Sequence, residues 1–191
     1  TTAFISNKVR STQNNCVVQF LTAQESNAQI ASLQQARSYL FNRCNFKAYL
    51  NGVSIYGFDG RICTYGITTP YDEVSQTEWF SQIQSGQADV VYLTPHAYTS
   101  KQPSPKSSYV FSIVRPVLNN GTIIGVIKAD VKSSLLETIF DIQEMQGYAL
   151  YVFDRDTGEA VYVPEGADTL PLTRFQDSVP RGHGSYTDQI G

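Results

Sequence analysis

Two charged residues near the end of "GTIIGVIKADV", Lys128 and Asp130, stand two positions apart in a run of β-branched residues. On a strand, side chains alternate with period two, so this pair shares one face with Val126. Side by side, an ammonium and a carboxylate either neutralise each other or present both charges to a ligand. The second conspicuous residue is the single tryptophan, Trp79, followed at once by Phe80 in "SQTEWFSQIQSG" and preceding the strand-like "ADVVYLTPH". An indole provides a large rigid surface with one polar N–H. On the strand from Val90 to Pro95, Tyr92 is expected to face with Val90 and Thr94.

Catalytic chemistry has little to work with. There is no GxSxG, HExxH or P-loop pattern, and Ser, His and Asp show no spacing that would assemble a triad. The "DRD" acids Asp154 and Asp156 fall in a turn, where Asp is favoured for its local hydrogen bonds. Cys16, Cys44 and Cys63 are an odd number at wide spacing, and the chain has 2 histidines, so neither a disulfide framework nor a zinc site is supported. The cysteines read as buried or idle thiols, and no cofactor is expected. His183 lies in a glycine-flanked loop and receives no role. Asn120-Gly121-Thr122 matches a glycosylation sequon but reads first as a hairpin turn.

The elements that must position these residues follow from pattern. At 191 residues, with 41% hydrophobic and 16% charged residues, the chain can bury a substantial core. Its net charge of -3 gives no basic footprint for nucleic acid. No apolar run of about 18 or more residues is present. Residues 1 to 51 contain no Gly or Pro, and apolar positions Ile5, Val9, Cys16, Phe20, Ile30, Leu33, Ala36 and Leu40 recur at helical spacing. A continuous helix here would exceed about 60 Å, longer than a small domain needs, and suggests a stalk or signalling helix, with "QESNAQ" as a candidate break.

"NGVSIYGFDGRICTYG" has the form of a hairpin around Asp59-Gly60, and "YALYVFDRDTGEAVYVP" repeats its order, suggesting two related modules in tandem. Between them, Ser75 and Glu78 form a capping-box pattern that predicts a helix from Gln76, ended by Gly86. Trp79 and Ile83 would share one face, with Phe80 turned about 100° away. Strands follow at "ADVVYLTP", "YVFSIVRPV" and "TIIGVIKADV", then the helical "SSLLETIFDIQEM". The expected class is α+β: a PAS-like antiparallel sheet with the long helix on one face and a small cavity on the other.

In the order of "EWF", "VVYLTPH", "FSIVRPV", "GTIIGVIKADV" and "SSLLETIF", the chain resembles the membrane-distal half of double Cache domains, the extracellular sensor regions of bacterial histidine kinases, chemoreceptors and cyclic-di-GMP enzymes. The resemblance implies a helical stalk over 1–45, a distal ligand-binding module over 46–132, a linker helix over 133–145 and a partial membrane-proximal module over 146–191 with an unpaired sheet edge. It implies a non-catalytic extracytoplasmic sensor, most often of a two-component histidine kinase. Homodimerisation through the stalk and membrane attachment through flanking segments are also implied. The ligand would be a small polar molecule: an amine, an amino-acid-like compound or another metabolite.

In amino-acid-binding relatives the position of Asp130 receives the ammonium group, and an Arg two residues before the tryptophan receives the carboxylate. Here Thr77 stands at that second position, leaving Arg115 or Lys128 to meet a carboxylate. The candidate ligand-binding set is Trp79, Phe80, Tyr92, His96, Tyr98, Phe111, Arg115, Lys128 and Asp130. With Trp79, Tyr92 and Asp130 in one cavity, Asp130→Ala is expected to remove binding and spare the fold. Closure of residues 95–108 over the sheet would shift the long helix between two arrangements. A structural or protein-binding ectodomain without a small ligand is the rival reading. An enclosed polar cavity beside Trp79 would separate it from a sensor.

Overall fold

A computed structural model of the chain describes residues 16–96, 109–140, 151–153 and 160–162. The helical span opens with α1 (Cys16–Thr22) and α2 (Ser26–Cys44), separated at residues 23–25 within "QESNAQ". Glu25, with extended backbone angles, sits at the N-terminal cap of α2. Then come β1 (Leu50–Gly57), β2 (Ile62–Gly66), α3 (Tyr71–Val74), α4 (Glu78–Gln84), β3 (Val91–His96), β4 (Val110–Asn119), β5 (Thr122–Lys132) and α5 (Leu135–Ile139). A two-stranded ladder of β6 (Val152–Phe153) and β7 (Ala160–Tyr162) follows. That ladder falls on the expected second hairpin. The unpaired edge and most of the proximal module lie outside the described residues, as do Ile5, Val9, Tyr98, His183 and the loop of residues 97–108.

The five strands form one sheet in the order β2-β1-β5-β4-β3. All its pairings are antiparallel. The β1–β2 hairpin turns through Asp59 and Gly60, the latter at φ +92°. Arg61 ion-pairs with Asp59 at 2.7 Å and donates from Nη1 to the Phe20 carbonyl at 2.9 Å, latching the hairpin to α1.

Helices α1 and α2 cover one face of the sheet. Val17, Phe20, Leu21, Ala36, Leu40 and Cys44 bury against Val53, Ile55, Ile127, Ala129 and Val131. Each large apolar side chain so buried contributes about 1.5–3 kcal/mol. Ile30, assigned to the buried stripe from spacing, is 59% exposed, and the stripe runs through Ser32, Ala36, Leu40 and Cys44 instead. The approach of α1 depends on Gly125 of β5. A Cβ there would lie 2.5 Å from the Tyr56 carbonyl oxygen and 3.0 Å from a Leu21 methyl. Burial pushes the Cys16 and Cys44 thiols up and that of Cys63 to about 11, so these are inert thiols in apolar surroundings.

The other face carries α3 and α4 over a second cluster of Tyr56, Val74, Phe80, Ile83, Val114 and Val126. The capping box is not formed. Ser75 closes α3, donating to the Asp72 carbonyl, while Thr77 caps α4 with its hydroxyl turned back to the Val74 carbonyl at 2.7 Å. Gly86, at φ +74°, ends α4 with its N–H on the Ile83 carbonyl. In this helix Phe80 and Ile83, three positions apart, take the core, and Trp79 is left half-buried at the margin.

Candidate functional site

A groove of about 710 Å³ runs between the α3–α4 segment and the edge strand β3. Its helical side is formed by Thr69, Glu73, Val74, Gln76, Thr77 and Trp79, its sheet side by Tyr92, Leu93, Thr94 and His96, with Lys128 of β5 between them. The helical side is positioned by hydrogen bonds to β1 and to Phe58 just beyond it. The Tyr56 hydroxyl donates to the Thr69 carbonyl at 2.8 Å, Ser54 and Thr68 join hydroxyls at 2.6 Å, and the Tyr71 hydroxyl donates to the Phe58 carbonyl at 3.0 Å. Phe80 sets the tilt of α4 from below, in edge-on contact with Phe58, Tyr71 and Trp79 at centroid distances of 5.5, 6.0 and 5.8 Å.

Under the groove lies a buried polar chain. Lys128, 3% exposed, and Asp130, 1% exposed, are joined at 2.6 Å. The same Asp130 oxygen, Oδ1, accepts from Ser112 Oγ at 2.5 Å. Ser112 Oγ also lies 3.2 Å from His96 Nε2, and His96 Nδ1 donates to the Thr94 carbonyl at 2.7 Å. A carbonyl oxygen only accepts, so the proton belongs on Nδ1 and leaves Nε2 an acceptor in the neutral ring. Burial pushes the His96 pKa down, with Lys128 adding to the effect, which favours that neutral ring. Ser112 has one hydroxyl proton and two acceptors competing for it. The chain is therefore rich in acceptors and leans on the Lys128 ammonium.

The expected site residues are placed unequally. Trp79, Tyr92, His96 and Lys128 border the groove. Asp130 sits beneath it, closed off by Lys128 and Ser112. Phe80, 3% exposed, is core. Tyr92 is 64% exposed, and its register opposite Ile113 turns it away from Leu93, which pairs with Ser112. Phe111 and Arg115 pair with Val131 and Ile127, so they belong to the face beneath α1 and α2, because directly opposed residues share a side of the sheet. Arg115 Nε is buried there without a hydrogen-bond partner among the described residues. Tyr98 lies outside them.

Sequence reasoning missed Ser112, Glu73 and Gln76. Ser112 was within reach as the polar residue of the run Val110–Val114, while Glu73 lies in a short helix that no pattern announced and Gln76 in a turn where a helix start was expected. Among the described residues no three His, Cys, Asp or Glu side chains are grouped to hold a metal, and no helix is long and apolar enough to cross a membrane.

No family model and no curated protein sequence matches the chain. Solved structures do. The ligand-binding domain of the Campylobacter jejuni chemoreceptor Tlp3 in complex with L-valine aligns with a TM-score of 0.52 at 12% identity, over 85% of this chain and 67% of that one. Its complex with L-norvaline gives 0.52 at 13%, over 85% and 66%. The ligand-binding domain of the Pseudomonas aeruginosa PAO1 amino acid chemoreceptor PctC, in complex with GABA, gives 0.49 at 16%, over 78% of this chain. This chain spans 63% of the PctC domain's length. The five-stranded antiparallel sheet with α1 and α2 packed on one face is the fold this chain shares with the Tlp3 ligand-binding domain.

Proposed function

We propose that this chain is the extracytoplasmic ligand-sensing region of a bacterial membrane receptor, binding a small polar molecule in the groove beside Trp79. The observation that carries the reading is a groove of about 710 Å³ lined by an aromatic residue and a buried ammonium, on the sheet face opposite α1 and α2. Ligand pockets combine apolar walls with a few convergent polar groups, and a ligand there bears on the same sheet that holds the helices on its far side. The Tlp3 domain that shares the fold is in complex with L-valine, a small polar molecule. The sensor is non-catalytic: binding shifts the position of α1 and α2 relative to the sheet, and a flanking membrane segment carries the displacement to an output domain, a histidine kinase in the fullest version of this reading. A homodimer through the N-terminal helical span belongs to the same proposal.

Screening small polar metabolites by thermal shift and by the fluorescence of the sole tryptophan tests it. A ligand that raises the melting temperature and perturbs Trp79, with both effects lost in Thr77→Phe, where the groove is filled, is the expected result. Binding undiminished by Thr77→Phe would place the ligand elsewhere and defeat the reading.

A further inference from the structure

We infer that the groove recognises a small carboxylate lacking an ammonium group, through the Lys128 ammonium. The inference rests on the sensing reading above and narrows its ligand. The acid that a ligand amine would need is already engaged. Asp130 is almost wholly buried, takes both Ser112 and Lys128 on Oδ1, and does not reach the groove lining. An incoming ammonium would have to displace Lys128 from its own counter-charge. Glu73, the other carboxylate at the groove, has an interaction partner of its own, while its Oε1 is buried without a hydrogen bond among the described residues.

Lys128 is in the reverse position. It lines the groove although nearly all of its side chain is buried, and its ion pair with Asp130 uses a single carboxylate oxygen that Ser112 shares. An ammonium carries three donors, and a buried one gains most from further acceptors. A ligand carboxylate brings acceptors and a second negative charge. Around it, the Trp79 indole contributes a donor and no acceptor, and the Gln76 amide can present either its NH2 or its oxygen. The Thr77 hydroxyl proton is turned to the Val74 carbonyl, so that side chain adds no donor for a carboxylate.

Three probes of one size separate the possibilities: L-2-hydroxyisovalerate has the carboxylate alone, L-valinol the ammonium alone, and L-valine both. Calorimetry and Trp79 fluorescence on the full chain are expected to show saturable binding of the hydroxy acid, at least about ten-fold tighter than of valinol. The double variant Lys128→Met with Asp130→Asn, which removes the charge without stranding its partner, is expected to lose that binding while circular dichroism stays native. Valinol or valine binding ten-fold tighter than the hydroxy acid would overturn the inference and leave the sensing reading standing. Retention of hydroxy acid binding in the double variant would overturn it too. Silence with all three probes would overturn the inference and leave the sensing reading to the metabolite screen.

Discussion

The two faces of the sheet are built from alternate residues of the same strands, yet they are different materials. Along β5, Ile127, Ala129 and Val131 face α1 and α2 in an apolar interface, while Val126, Lys128 and Asp130 face α3, α4 and the groove. The helix face follows simple burial: side chains interdigitate, and Gly125 lets Leu21 come close. The groove face buries Ser54, Ser112, Lys128 and Asp130, whose desolvation apolar residues of the same size would avoid. A fold does not need that arrangement for stability. The helix face also buries Ser32 and the Nε of Arg115, but the charged pair lies on the groove face, and under the function proposed above recognition is the reason for it.

Substitutions can break or sharpen this contrast. The largest effect is expected from Asp130→Ala. Sequence reasoning alone expects that change to spare the fold, but in the structure it strands a buried ammonium and should cost about 3–5 kcal/mol in urea denaturation. Replacing the pair together, Lys128→Met with Asp130→Leu, should recover most of that loss. If the single variant proves as stable as wild type, the two faces do not differ energetically as described.

Leu40→Ala on the helix face should cost a comparable amount at most, about 2–5 kcal/mol, through loss of buried volume. Unlike the Asp130 change it has no second-site charge partner, so a Lys128→Met background should leave its cost unaltered within about 0.5 kcal/mol. Coupling between them in a double-mutant cycle would show that the faces are not independent.

Gly125→Ala should cost about 1–3 kcal/mol, because the new methyl meets the Tyr56 carbonyl oxygen, a backbone atom that cannot swing away. Leu21→Ala should offset part of this, since the other contact of that methyl is the Leu21 side chain. Additive costs would mean that α1 does not lean on the sheet at this point.

The smallest effect concerns pH. Burial lowers the His96 pKa in the folded protein. The unfolded chain therefore takes up a proton near pH 6.5 while the folded one still resists it, and stability rises with pH across the interval just below about 6.5. His96→Gln should flatten that slope in denaturation curves measured from pH 5 to 7. An unchanged slope would remove His96 from the buried chain.

Much of the sheet was legible in local pattern. The Asp59-Gly60 hairpin, the three later strands and the Gly86 helix stop rest on turn chemistry and period-two runs that few alternatives satisfy. The α3–α4 segment was not, because Ser75-x-x-Glu78 is a short motif. The hydroxyls of Tyr56 and Tyr71, coming from far along the chain or reaching far along it, decide where those turns lie. Phe80, expected beside Trp79 in the ligand-binding set, went to the core for a related reason: two adjacent aromatics on one helix are separated by the surface they meet.

What the sequence determined by itself was the set of strands and the alternation within each. Which side chains meet across strands was decided by one residue. From the Asn120-Gly121 turn, Asn119 pairs with Thr122 and Leu118 with Ile123, a register that, continued, would set Phe111 opposite Asp130 and Arg115 opposite Val126. One extra residue on β5, Ile124, between the Val117–Gly125 and Leu118–Ile123 pairs, shifts the ladder, so that Ser112 meets Asp130 and Val114 meets Lys128, and Lys128 and Asp130 turn to the groove face. Because side-chain direction has period two, a single extra residue moves every later one to the other side of the sheet. No local pattern marks that residue; it is set by packing on both faces at once.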